Sequence, residues 1–284
     1  MTNKPNILLL TLANNNDIAL DRYVNVTYYN RSMPKEEFFE YAKDADLILE
    51  SEYNDGVSVY ADLLNQVNNK KAVWLIDTHV RPDQPQYANN FDYVFVSINR
   101  LRYKFTCPTI HLPVGFLYSE SLITNPNEIR KNDISFVGNI HNLRTHFFDQ
   151  LLKKLNEKNI RNSFIKGLFK QDYANLTRDS YIGFNSSIAG ELNLRAFETL
   201  AFGATLLTDF NEEYTKVPEL QDRSYSYKSF EELILRIDEI LTIPKNVLLK
   251  NNIDNQQWLK QNHLVLHRYL YILKHCIGFE PKIN

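Results

Sequence analysis

Short apolar runs alternate with polar stretches of helical pattern along most of the chain. "NILLLTL", "VNVTYY", "DLILES", "KAVWLID" and "DYVFVS" are rich in β-branched, aromatic and leucine residues and read as strands. "PKEEFFEYAKDA" opens with Pro34 and reads as a helix. "TCPTIHLPVGF" closes this half as a strand ending at Pro113. From Val114 to Asn132 the period lapses, and Asn125-Pro126 marks a connection. The rhythm restarts with "DISFVGN", followed by an apolar face at Leu143, Phe147, Phe148, Leu151, Leu152 and Leu155 that predicts a helix beginning near Asn142. "NSFIKG", "YIGFN", "ATLLTD" and "SYSY" are further strands, and Phe230, Leu233, Ile234, Ile237, Ile240 and Leu241 mark an amphipathic helix. One long aromatic helix is expected over 255–275. Strands alternating with helices predict an α/β protein with mostly parallel sheets.

We divide the chain into a Rossmann-like domain at 1–120, a linker at 121–132, a second Rossmann-like domain at 133–260, and a C-terminal helix at 261–284 crossing back to the first domain. The length of 284 residues suits two domains facing across a cleft.

Composition adds little, since 44% hydrophobic and 23% charged residues describe an ordinary globular protein. No run reaches the length of a membrane span. No basic segment followed by an apolar one opens the chain, and Cys107 and Cys276 are its only cysteines. A cytoplasmic location is the expectation. Charge distribution says more than the net charge of −2. Residues 32–64 hold nine acids against two lysines, whereas 131–170 hold eight bases against three acids. A small anion bound by the middle of the chain fits this, and a polyanion such as nucleic acid laid across both halves does not.

The GxGxxG, GxxxxGK[ST], HExxH and GxSxG signatures are all missing. Asp44-Ala45-Asp46 has the spacing of a carboxylate pair that holds a cation on a diphosphate, but it precedes its strand and reads as a solvated turn. His263 and His267, at i and i+4 on the expected last helix, have no third ligand nearby. No metal site is expected.

Two stretches carry the chemistry. In "FVGNIHNLRTHFF" a strand ends at Gly138-Asn139, and Arg144 enters the first turn of the next helix. A cation is unfavourable there unless an anion is bound. In "GELNLRAFETLAFGATLLTD" Asn193 is a plausible N-cap, so Leu194 and Arg195 open a helix whose free N–H groups favour phosphate. Glu198, one turn beyond Arg195, suits the hydroxyls of a ribose.

Together, "ISFVGN…R", "GELNLRAFETLAFGATLLTD", "SYSYKSFEELILRI" and, in the first half, "VWLIDTH…FDYVFVS…LPVGF" resemble the CgeB/YkvP-like glycosyltransferases of the GT-B superfamily over roughly residues 70–270. The resemblance implies the GT-B fold and transfer of a hexosyl or related sugar from a UDP- or GDP-sugar. It implies no bound metal, no cofactor beyond that donor substrate, and retention of configuration. It implies that Glu198 binds the ribose, that Asn193, Leu194 and Arg195 meet the diphosphate, and that Gly138-Asn139 with Arg144 forms the first donor loop. Glu191 lies seven residues before Glu198, where the broader retaining group often has eight, so its sugar contact departs from the pattern. Arg195 would stabilise charge on the leaving diphosphate. Asp77 and His79, after the strand of "LIDTH", are the expected acid–base pair facing the donor. A sugar-nucleotide epimerase and an inactive donor-binding subunit are the competing readings. The acceptor and the oligomeric state are not legible.

Overall fold

The computed structural model describes residues 4–10, 19–30, 32–51, 60–140 and 144–282. The chain divides into two compact units, Met1–Val114 with Val265–Asn284, and Gly115–Leu264. Residues 121–132, expected as a linker, lie inside the second unit.

The first unit is built on β1 (Asn6–Leu10), β2 (Asn25–Tyr29), α1 (Lys35–Lys43), β3 (Leu47–Ser51), α2 (Ala61–Leu64), β4 (Lys71–Leu75), α3 (Gln84–Tyr87), β5 (Tyr93–Val96) and β6 (Thr109–His111). Its six strands are parallel in the order β2-β1-β3-β4-β5-β6. The chain turns outward from β1 to β2, then reverses to run β3 through β6. That reversal is the switch point beside which open α/β sheets bind ligands. Residues 11–18 and 52–59, which follow β1 and β3, lie outside the described residues. α1 buries Phe38 and Ala42, one turn apart, against this sheet's core.

The second unit contains β7 (Asn132–Val137), α4 (Thr145–Glu157), β8 (Asn162–Ile165), α5 (Lys170–Arg178), β9 (Ser180–Phe184), α6 (Leu194–Ala201), β10 (Thr205–Asp209), α7 (Pro218–Gln221), β11 (Ser224–Tyr227), α8 (Phe230–Thr242) and α9 (Lys245–Asn262). Its five parallel strands run β11-β10-β9-β7-β8, so the reversal falls between β7 and β9. Phe148, Leu151 and Leu155 of α4 enter the core as the periodicity requires; the expected start near Asn142, and Leu143 with it, lie outside the described residues. Phe136, Phe148, Phe164 and Phe184 pack ring against ring beneath the carboxyl edge of the sheet. Gly183 on β9 lets α6 lie close, because a Cβ there would strike the Thr199 side chain.

The single helix expected over 255–275 is two, α9 and α10 (Val265–Ile277). At the break the His263 carbonyl accepts from the Phe116 N–H at 2.8 Å, and Leu264 bridges Phe116 in parallel. The backbone hydrogen-bonds to another segment here, so the helix cannot continue despite its sustained apolar period. His263 and His267 therefore do not share a helix face. α10 packs in the first unit, with Tyr269 edge-on to Trp74 and Tyr271 and His275 against Phe95. Arg268, buried on α10, donates to the carbonyls of Pro113 and Val114 at 2.8 and 2.9 Å. No helix among the described residues is long and apolar enough to cross a membrane.

Candidate functional site

The expected residues of the second unit gather at the carboxyl ends of β7 and β9, beside the switch point. β7 ends at Val137, and Gly138 follows with φ +151°, a region that disfavours side chains. The reading from sequence held Gly138 open for a ligand. What approaches it is the Arg195 guanidinium, into which a Cβ at 138 would collide. Arg195 lies flat over the Phe136 ring, 4.4 Å from its centroid. Its Nε donates to the Val137 carbonyl at 2.8 Å and an Nη to Asn185 Oδ1 at 3.1 Å. Asn185 is itself held through Thr208, its amide donating to Oγ1 at 2.9 Å. One guanidinium thus ties the end of β7 to the end of β9.

Arg144 sits at the N-cap of α4, 7% exposed. It donates to the carbonyls of Ser186 and Asn139, at 2.5 and 2.7 Å, and lies over the Phe136 and Phe148 rings. Burial lowers its pKa, and the neighbouring Arg195 lowers it further, against the opposing pull of Glu191 and Asp209. Among the described residues neither arginine makes an ion pair with a carboxylate. Two guanidinium groups held this close repel, and an anion between them would relieve the repulsion.

Asn193 occupies the N-cap of α6, as expected, but its side chain does not cap the helix. Its Oδ1 is buried without a hydrogen-bond partner. The N–H groups of Leu194 and Arg195 in the first turn lack intrahelical acceptors, as at any helix start, which adds a third source of positive potential. Asn139 is exposed and contributes its carbonyl to Arg144. Glu191 is committed elsewhere: its two carboxylate oxygens accept from the N–H groups of Ile188 and Ala189 at 3.0 and 2.7 Å, which shapes the loop before α6.

Glu198 is 8% exposed on α6. Burial pushes its carboxyl up to about 7, with Arg195 and the Tyr173 hydroxyl opposing that rise. Sequence reasoning missed Tyr173, Asn185 and Tyr227. Tyr227 is buried at the end of β11, and its hydroxyl approaches the Asn185 carbonyl at 3.5 Å. These three come from separate helices and strands, and no local spacing announces them. Asp209, the final residue of "ATLLTD", accepts from the Ser187 N–H at 2.7 Å and stiffens the same loop.

In the first unit, Asp77 lies exposed just past β4, and its carbonyl accepts from the Val80 N–H at 2.9 Å. His79 is half-buried, and its Nδ1 has no hydrogen-bond partner; nor has the buried Thr78 hydroxyl beside it. Glu50, 3% exposed near the end of β3, receives a short hydrogen bond from Tyr87 of α3. This buried carboxylate was not foreseen, since "DLILES" reads simply as a strand. Asp44 and Asp46 lie at the opposite edge, where Asp46 accepts from the Asn6 N–H at 2.8 Å at the start of β1. Among the described residues no three His, Cys, Asp or Glu side chains are placed to share a metal ion.

A sequence-family model described as glycosyl transferase-like matches residues 127–274, just over half of the chain. No curated relative matches by sequence. Among solved structures, HepE of Anabaena in complex with UDP and glucose superposes with a TM-score of 0.64 at 14% identity, covering 97% of this chain and 100% of that one. An α-glucosyltransferase in complex with UDP and a 13-mer DNA gives 0.65 at 10% identity, covering 96% and 99%. A UDP-forming trehalose-phosphate synthase from Burkholderia xenovorans gives 0.59 at 10%, covering 98% and 100%.

Proposed function

Because the chain belongs to the glycosyl transferase-like family and its two parallel-sheet units have structural neighbours of the GT-B fold, we propose that it transfers a hexosyl or related sugar from a nucleoside diphosphate sugar, within the CgeB/YkvP-like group. The observation that carries this reading is the pair of stacked guanidinium groups, Arg144 and Arg195, at the carboxyl ends of β7 and β9. Both lie beside the uncapped start of α6. The diphosphate binds against these cations and the N–H groups of Leu194 and Arg195. The ribose hydroxyls donate to Glu198. Asn193 Oδ1, buried and without a partner, serves as a further acceptor for the donor.

Transfer breaks the bond between the anomeric carbon and the diphosphate oxygen, and forms one to an acceptor oxygen. Charge grows on the leaving diphosphate, where cations already fixed in place stabilise it without reorganisation. This arrangement supports transfer that needs no divalent ion; retention of configuration is what the family resemblance implies. On the first unit, Asp77 and His79 at the carboxyl end of β4 are the groups we assign to the acceptor hydroxyl and its proton. UDP-sugars are the first donors to test, since the neighbours named above were solved with UDP or form it. The acidic residues of 32–64 disfavour a nucleic acid acceptor.

Incubation with UDP- and GDP-sugars tests the proposal. Nucleotide release that continues in the presence of EDTA is the expected result. Conversion to another sugar nucleotide would make the protein an epimerase instead. Binding without turnover, across a broad set of acceptors, would reduce it to a donor-binding module.

A further inference from the structure

Tyr173 stands on α5, 5% exposed, with its ring edge-on to Phe202 at 5.1 Å. Its hydroxyl is buried and makes no hydrogen bond. A buried hydroxyl in that condition is costly, so native folds seldom leave one without a use. The group it bears on is the Glu198 carboxyl on α6. The hydroxyl lies outside strict hydrogen-bond geometry to that carboxyl, yet near enough to favour its ionised form.

We propose that Tyr173 is a positioning residue for Glu198: its hydroxyl dipole favours the ionised carboxylate already without ligand, and its hydrogen bond closes when nucleotide binds, keeping that group turned towards the ribose hydroxyls. This rests on the assignment of Glu198 to the ribose made above. The chemistry follows from what each partner can offer. Ribose hydroxyls and the tyrosine hydroxyl are all donors to a carboxylate, and a protonated carboxyl has one fewer acceptor site for them. Binding therefore favours the charged form, which burial alone disfavours.

The charged and titratable groups bearing on Glu198 are Arg195 on its own helix and Tyr173 on α5, and Tyr118 bears on Tyr173 in turn. α9, packed along α6, presents the neutral Gln256, whose amide donates to the Ala201 carbonyl at 2.8 Å. With Glu198 titrating at about 7, nucleotide affinity tightens as pH rises through neutrality. Removing the tyrosine hydroxyl takes away one of the two influences that oppose burial, so the midpoint moves upward.

Two measurements separate this inference from the reading beneath it. The first follows the side-chain carboxyl ¹³C signal of Glu198, assigned by its loss in Glu198→Gln, against pH without ligand. Tyr173→Phe shifts the midpoint upward, and site-specific 3-fluorotyrosine at 173, a stronger donor of the same shape, shifts it downward. The second uses UDP as the probe. Tyr173→Phe binds it about fivefold more weakly than the parent at pH 7, the effect of a one-unit shift, and within about twofold at pH 9. A purely structural tyrosine leaves both profiles where they are, and unchanged midpoints in both variants overturn the proposal. If UDP affinity is independent of pH and indifferent to Glu198→Gln, the ribose assignment fails, while the ¹³C titration still decides whether Tyr173 governs Glu198. Should Tyr173→Phe not fold, the fluorotyrosine protein alone decides.

Discussion

At the scale of single residues, Glu198 is held in tension between stability and binding. Its carboxyl titrates at about 7 in the fold, above the ordinary 4.5. A raised carboxyl keeps its stabilising contribution below pH 4.5 and loses it as pH climbs to about 7, where the unfolded chain sheds a proton that the fold retains. The loss is on the order of 3 kcal/mol. Glu198→Gln removes this dependence, so its thermal midpoint lies above the parent's at pH 8 and close to it at pH 4.5. The same variant loses a charge-assisted acceptor and binds nucleoside diphosphate more weakly by roughly 1–3 kcal/mol at pH 8. A variant with the parent's pH-stability profile, or with undiminished affinity, refutes the respective half. Arg195 is the complementary case. Arg195→Ala lowers kcat more than it raises the donor KM, because charge on the diphosphate peaks in the transition state. A change confined to KM argues for ground-state binding only.

Elements decide what such residues can reach. The turn after β7 and the start of α6 are distant in sequence, and the fit between Gly138 and the Arg195 guanidinium joins them. Gly138→Val drives that guanidinium off Phe136 and away from the Val137 carbonyl. Donor binding and turnover then fall together, at least as far as in Arg195→Ala. Parent-like binding by the valine variant shows that Arg195 has room to move, and that the close approach is incidental. The loop before α6 is stiffened in turn by Glu191 and Asp209, through the backbone of Ile188, Ala189 and Ser187. This accounts for part of the polar crowding of "GELNLRAFE": Glu191 shapes the loop, and Glu198 is buried on α6, where we assign it to the ribose.

For the whole molecule, two units mean separable roles. Asp77 belongs to the first unit, and Arg144, Arg195 and Glu198 to the second. Saturation with UDP at a hundred times its Kd stabilises the parent by about 2.7 kcal/mol, and Asp77→Asn retains that shift. The same variant loses transfer by about 10²-fold or more, the usual scale for acid–base help. If it loses the thermal shift as well, Asp77 acts in donor binding rather than on the acceptor. The alternation of apolar runs made the two parallel sheets legible from sequence, because a strand's composition and period are local properties. "NLRAFE" likewise betrayed a helix start at Leu194, since capping preferences act within one turn. The break at His263 was not legible, because it depends on a hydrogen bond from Phe116, far off in the chain. Nor was the close approach of Arg195 to Gly138, the commitment of Glu191 to its loop, or the burial of Tyr173 and Glu198. Local spacing set the elements and the charges they carry. Burial and the approach of distant segments decided which of those charges are spent on the fold and which are left for a ligand, and both arise only once the sheets have assembled.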